Sequence, residues 1–406
     1  MSKFMFNTLS KSALSLCTLS ACILTSQAGY AATDVFTQAI KDGKATIELR
    51  PRLEYIDQDG AIDSATALTL RTVLGYETAP IYGIKAYAEM EDIRALVDNY
   101  SVPVVQPNPK YAVVADPELT QVNQAYLAGY GFKIGRQKLI VNNARFIGDV
   151  GWRQNDQTFD AVSYQNATLA KGLDLQLSYA DHVSSINGQT GDIQLPVVNI
   201  KYKTPIGANL TLMWAGLESR ETAATAAASS LKAGSRQHGL IQVNGKQQNI
   251  IYDLSYAKQD SYAGSKVLEA DYYAVQLGYD FGAVKATIQQ ESLETGFATP
   301  LATLHAFNGW ADKFLATPAL GLVDRNIKLA GSYQGFNMMA AYHNFIAEKN
   351  STKYGQEIDL SVSKKLLPNL TGLLKAAHYM GDNDKATPLA LQQDQSKLWL
   401  QLDYKY

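Results

Sequence analysis

Seven of the ten arginines in this 406-residue chain fall between positions 50 and 153: Arg50, Arg52, Arg71, Arg94, Arg136, Arg145 and Arg153. A guanidinium is a planar, permanently charged fork that matches a carboxylate with two parallel hydrogen bonds. Arg50 and Arg52 are two residues apart, and Glu48 and Glu54 share their parity. On a strand that spacing puts all four side chains on one face. Arg71 shares a face with Thr69 in the next segment, and Lys85 with Glu89 in the one after. Such a face has two uses. It can select anionic solutes along a water-filled path, or the arginines can pair with Glu48, Glu54, Glu89 and Glu91 and brace a wall. Acids outnumber bases here, so selectivity would come from placement rather than net charge.

Two long connections add aromatic rings to the charges. Residues 142–157 read NNARFIGDVGWRQNDQ, and residues 304–314 read LHAFNGWADKF. Loop tips in water have no need of Phe146, Trp152, Phe307, Trp310 and Phe314. Connections this long are uncommon unless they do something. Folded inward, the rings would face sugar rings while Arg145, Arg153, Asp312 and Lys313 address polar groups. The simpler reading is that the rings pack each loop against a wall. The five histidines, His182, His238, His305, His343 and His378, show no metal or acid–base spacing. No enzyme, metal or cofactor is expected.

Period-two alternation runs along the chain. Ile47, Leu49, Leu53 and Tyr55 oppose Glu48, Arg50, Arg52 and Glu54, and Ile250, Tyr252, Leu254 and Tyr256 oppose Ile251, Asp253 and Ser255. One apolar and one wet face suit a strand between lipid and water. Eight short connections carry turn chemistry: residues 78–80, 130–131, 171–172, 205–207, 244–245, 280–282, 334–335 and 368–369. Nine longer polar ones alternate with them, near 57–66, 95–119, 141–157, 182–192, 219–236, 258–266, 292–323, 347–354 and 382–395. The pattern predicts an all-β, transmembrane, antiparallel up-and-down barrel of about eighteen strands, with both termini periplasmic. A soluble sandwich or propeller predicts no such alternation and needs a second buried face. The last segment sets Leu398, Leu400, Leu402, Tyr404 and Tyr406 against Trp399, Gln401, Asp403 and Lys405. As the closing strand it would bring Gln401 and Asp403 to Arg50 and Arg52.

Composition agrees. Charged residues are 18%, against about 25% in soluble chains. The 24 tyrosines suit membrane interfaces. A net charge of −2 gives nucleic acid no footprint. Residues 1–31 read as a secretory signal: Lys3 and Lys11, an apolar stretch over 13–24, and the small-x-small site Gly29-Tyr30-Ala31. Leu19-Ser20-Ala21-Cys22 also matches a lipid-attachment box. Residues 32–406 would form one barrel domain, delivered to the outer membrane by the barrel-assembly machinery and surrounded by phospholipid and lipopolysaccharide.

Four segments have a familiar look: VADPELTQVNQAYL at 114–127, GRQKL at 135–139, RFIGDVGWRQNDQTFDAV at 145–162, and LHAFNGWADKFLATPALGL at 304–322. Together they resemble the alginate-export family of outer-membrane proteins. The resemblance implies an eighteen-stranded, monomeric channel for anionic polysaccharide or its fragments. It also implies that Arg136, Arg145, Arg153 and Asp160 help form a constriction. With them, the expected pore-lining set is Arg50, Arg52, Arg71, Lys85, Glu89, Tyr126, Trp152, Trp310, Asp312 and Lys313. The expected function is a passive porin for an anionic oligosaccharide such as alginate, or another small anionic solute. The alternative is a non-conducting surface receptor or adhesin.

Overall fold

The computed structural model describes residues 29–60, 63–220 and 234–406, with side chains from residue 34. The apolar core and both cysteines of the expected signal lie outside the described residues, as does the Ala-rich stretch at 222–230. Helix α1 (Gly29–Lys41) precedes eighteen strands. These are β1 (Lys44–Gln58), β2 (Ala65–Glu77), β3 (Lys85–Asn99), β4 (Leu119–Gly129), β5 (Phe132–Gln137), β6 (Thr158–Asn166), β7 (Leu173–Ser184), β8 (Thr190–Lys203) and β9 (Asn209–Ser219). They continue as β10 (Arg236–Gln247), β11 (Ile250–Ser261), β12 (Ala270–Asp280), β13 (Val284–Leu293), β14 (Leu322–Tyr333), β15 (Phe336–Ile346), β16 (Lys353–Leu367), β17 (Leu370–Gly381) and β18 (Gln395–Lys405).

Each strand pairs antiparallel with its chain neighbour, and β18 pairs with β1, so the sheet is closed. Closure removes the unpaired edges that a membrane would penalise. Alternation places the apolar set outside: Leu254, Leu277, Ile288, Ile327 and Leu400 are all about half exposed. Aromatics flank this belt, with Tyr82, Tyr130, Phe281, Tyr333 and Tyr406 exposed on the short-turn side. Several short turns take positive φ at both central residues, as at Tyr130-Gly131 and Gln334-Gly335. That backbone matches the right-handed twist of the flanking strands.

The connections fall where expected, but their lengths alternate less strictly: β7–β8 (residues 185–189) and β15–β16 (347–352) are no longer than β2–β3 (78–84) and β6–β7 (167–172), and one turn is shifted. Asn244-Gly245 lies within β10, and the turn is made by Gln248 and Asn249. Asn-Gly is a turn signal by local preference, but the ladder to β11 overrides it. Gly245 serves packing instead. A Cβ there would come within 2.6 Å of the Tyr252 hydroxyl.

The hydrophobic core lies inside the barrel. Phe146, Ile147, Phe297, Leu301 and Phe314 come from long connections and pack on inward wall residues such as Tyr379 and Trp399. A second cluster seats Val102, Ala112 and Val114 of the β3–β4 connection on Ile56, Ala65 and Ala67.

Candidate functional site

The β5–β6 connection (residues 138–157) and the β13–β14 connection (residues 294–321) fold into the lumen and lock together. Ile147 and Leu301 form a parallel bridge, and the Gly148 N–H donates to Leu301 O at 2.9 Å. The Gln157 amide donates to Gly148 O at 2.8 Å and Leu301 O at 3.0 Å. The pair forms one plug rather than two independent tips.

Buried charge ties the plug to the wall. The Arg153 guanidinium reaches Glu54 of β1 at 3.2 Å and Asp312 of the other loop at 2.9 Å. Asp312 also accepts from Lys397 of β18 at 2.7 Å. Arg52 donates to Gln401 at 2.7 Å and to the Trp152 carbonyl at 2.5 Å, with its guanidinium 4.3 Å from the Trp152 ring. Arg50 meets Asp403 at 2.8 Å. The seam expected between β18 and β1 is therefore present, and the plug rests on it. Arg71 pairs with Glu91 at 2.6 Å and with Asp156 of the plug at 2.5 Å. Arg145 pairs with Glu291 of β13 at 2.6 Å and lies 4.9 Å from the Phe307 ring.

His305 sits at the centre. Its Nδ1 lies 2.7 Å from Asp312 and its Nε2 lies 2.7 Å from the Lys375 ammonium. Only a neutral imidazole fits, donating from Nδ1 and accepting at Nε2. Burial drives the group the same way, lowering its pKa to about 3. The Trp152 ring stacks on His305 at 4.7 Å and 5°. Lys375 is held 3.5 Å from the Trp310 ring and 4.0 Å from the Trp152 ring. The Glu357 carboxylate presses against Gly309, where an added Cβ would come within 2.4 Å. Only a glycine, at φ 85°, fits there.

The expected set is thus divided. Arg50, Arg52, Arg71, Arg145, Arg153, Trp152, Trp310 and Asp312 meet in or beneath the plug. Lys313 lies on the same loop, with its ammonium 5.3 Å from the Tyr379 ring. Lys85, Glu89 and Tyr126 face the lumen below it, on the side of the short turns. There Lys85 pairs with Glu77 at 2.8 Å, and Glu89 accepts from Asn123 at 2.8 Å. Arg136 and Asp160 do not reach the lumen. They share outward parity with the exposed Ile134 and Val162 and form a two-pronged pair at 2.8 and 3.0 Å on the outer wall. Their strand partners Lys133, Gln137 and Ser163 are the inward residues. Arg136→Ala should therefore leave single-channel conductance and ion preference unchanged. A change in either would return Arg136 to the pore.

A cavity of about 1100 Å³ opens on the short-turn side of the plug. Lys44, Lys85, Lys133 and Lys138 line it, against the acids Asp42 and Glu77. Lys133 lies 4.5 Å from the Tyr126 ring and makes no ion pair among the described residues. Lys44, Lys133 and Lys138 were not singled out in sequence. Inward parity on strands that lead to the long loops is the signal that marks Lys44 and Lys133.

The family model for alginate export matches residues 48–298, more than half of the chain. The chain belongs to the alginate-export family. No curated protein sequence matches it. Solved porin structures share its fold. OccK9 (OpdG) of Pseudomonas aeruginosa superposes with a TM-score of 0.68 at 12% identity, over 90% of this chain and 99% of that one. OccAB2 of Acinetobacter baumannii gives 0.64 at 14% identity, over 91% and 99%. OpdK of Pseudomonas aeruginosa, in a structure with vanillate, gives 0.64 at 13% identity, over 90% and 99%. This alginate-export family member is an eighteen-stranded β-barrel of the bacterial outer membrane.

Proposed function

We propose that this alginate-export family member is a passive, selective channel for small anionic solutes, with uronate sugars as the favoured class. The carrying observation is the lysine-lined cavity of about 1100 Å³ beneath a plug that narrows the lumen. That volume is close to the upper range of ligand pockets, ~1,000 Å³. It suits a short oligosaccharide better than a polymer in transit. The buried arginines support this reading indirectly. Arg50, Arg52, Arg71, Arg145 and Arg153 are each matched to a carboxylate, and Lys85 and Lys138 are paired as well, which leaves Lys44 and Lys133 as the cavity cations without an ion pair among the described residues. The vanillate held by the OpdK structure is likewise a small organic anion. Export of the cleaved chain after Ala31, periplasmic termini and a monomeric state belong to the same proposal.

Planar-bilayer recording tests it. The reconstituted chain should conduct, prefer anions, and be blocked by oligouronates added from the short-turn side. Exchanging Lys44, Lys85 and Lys133 together for methionine should shift the reversal potential in a salt gradient toward cation preference. A conducting channel with no block by any uronate would sink the solute class. The density of the plug favours a second reading, a closed barrel acting as a receptor, which predicts no conductance at all.

A further inference from the structure

Across the lumen from the lysines lies a chemically opposite surface. In a ring of eighteen strands, β4 and β13 stand on facing walls. A cavity of about 170 Å³ sits between the inner wall of β10–β15 and the plug. Carboxylates and amides line it, among them Asp253, Asp324, Gln276, Gln289 and Asn326. Glu291 is matched by Arg145, and Asp324 by the His343 ring at 2.9 Å. Lys328 is the one lysine on this surface. Asp253 meets no cation among the described residues. It accepts only from the Gln242 amide, at 2.9 Å to both oxygens, and from the Ser255 hydroxyl at 3.1 Å. Asn326 is 7% exposed and has no hydrogen-bond partner for its side chain among the described residues. Its amide faces the cavity and offers a ligand there both a donor and an acceptor.

We propose that this cavity is a solute subsite in which Asp253 takes a primary ammonium group, with the Asn326 amide, three strands along the same rung, left for a hydroxyl of the solute. The subsite rests on the channel reading and deepens it. A solute with an amine and a carboxylate, such as an amino-sugar acid, would meet a partner for each in turn, in different cavities of the lumen. The acceptors are preplaced: carboxylate oxygens take N–H donors, and the ammonium offers three. An acid on one wall and lysines on the other also create a transverse field that orients a dipolar solute.

The test is current block of the reconstituted full chain near neutral pH by three probes: glucosamine in its ammonium form, N-acetylglucosamine and glucuronate. Glucosamine should block at lower concentration than its neutral acetylated form. Asp253→Asn should raise its half-blocking concentration about tenfold, the scale of one hydrogen bond to a charged group, and leave glucuronate block unchanged. Asn326→Leu, which fills the cavity without altering charge, should do the same. Heat-modifiable gel mobility confirms that each variant is a folded barrel. Equal block by glucosamine and N-acetylglucosamine, or a folded Asp253→Asn variant with unaltered glucosamine block, overturns the subsite while glucuronate block keeps the channel. No conductance in the parent chain overturns the channel and the subsite with it.

Discussion

Arg153→Ala should convert a quiet, narrow channel into a wide and noisy one. The guanidinium is buried at 5% exposure and faces Glu54, Asp312 and, at 3.9 Å, Asp116. Removing it leaves Glu54, Asp116 and Asp312 facing one another where plug meets wall, with Arg52, Lys375 and Lys397 as the cations near them among the described residues. Breaking a buried pair by deleting one partner costs roughly 3–5 kcal/mol. At about 1.4 kcal/mol per tenfold, that shifts a closed plug toward open states by roughly two to three and a half orders of magnitude. Single-channel recording would read it as larger and more frequent conductance steps. Adding Asp312→Asn to Arg153→Ala should recover part of the closure, because it removes one uncompensated charge. A double variant as open as the single one would show that the network does not hold the plug. Barrel assembly itself should survive, since the strand ladder does not run through Arg153.

Acid should open the same plug. His305 is neutral inside, with its pKa lowered from 6.5 to about 3. When the plug lifts, the ring meets water and regains its ordinary value. The displaced state then binds a proton that the seated state refuses, so seating weakens as pH falls through 6.5 and is weakest near 3. Above 6.5 both states are neutral at this ring and pH has no leverage through it. Conductance measured from pH 6.5 down to 4 should rise in amplitude and noise. His305→Gln keeps hydrogen-bond capacity without a titrating ring and should flatten the acid limb. A retained limb in that variant would place the titration elsewhere.

The two predictions share a cause that sequence conveys only in part. RFIGDVGWRQNDQ and LHAFNGWADKF read as segments too aromatic for water, and inward folding follows from that. Their partners do not. Arg145 finds Glu291 across 146 positions, and Arg153 finds Asp312 across 159. Lys375, Lys397 and Asp253 sit on ordinary alternating strands, where a wet-face charge looks the same whether it meets solvent, a loop or nothing. Arg136 and Asp160 show the limit from the other side. Their motif points to the constriction, yet strand parity turns both outward.

The barrel itself is legible because its signals are local. A period of two and alternating connection lengths define strands, faces and their number without knowledge of any distant contact. The final strand could be placed against the first because a closed sheet has only one seam left to fill. Gln401 and Asp403 accordingly meet Arg52 and Arg50 at 2.7 and 2.8 Å. What only the tertiary structure decided is how the lumen is filled: which long connections enter, which charges they neutralise, and which stay available to a solute. Those outcomes depend on side chains brought together through space by closure. Two loops can bury their rings against each other only after eighteen strands have made an inside for them to share.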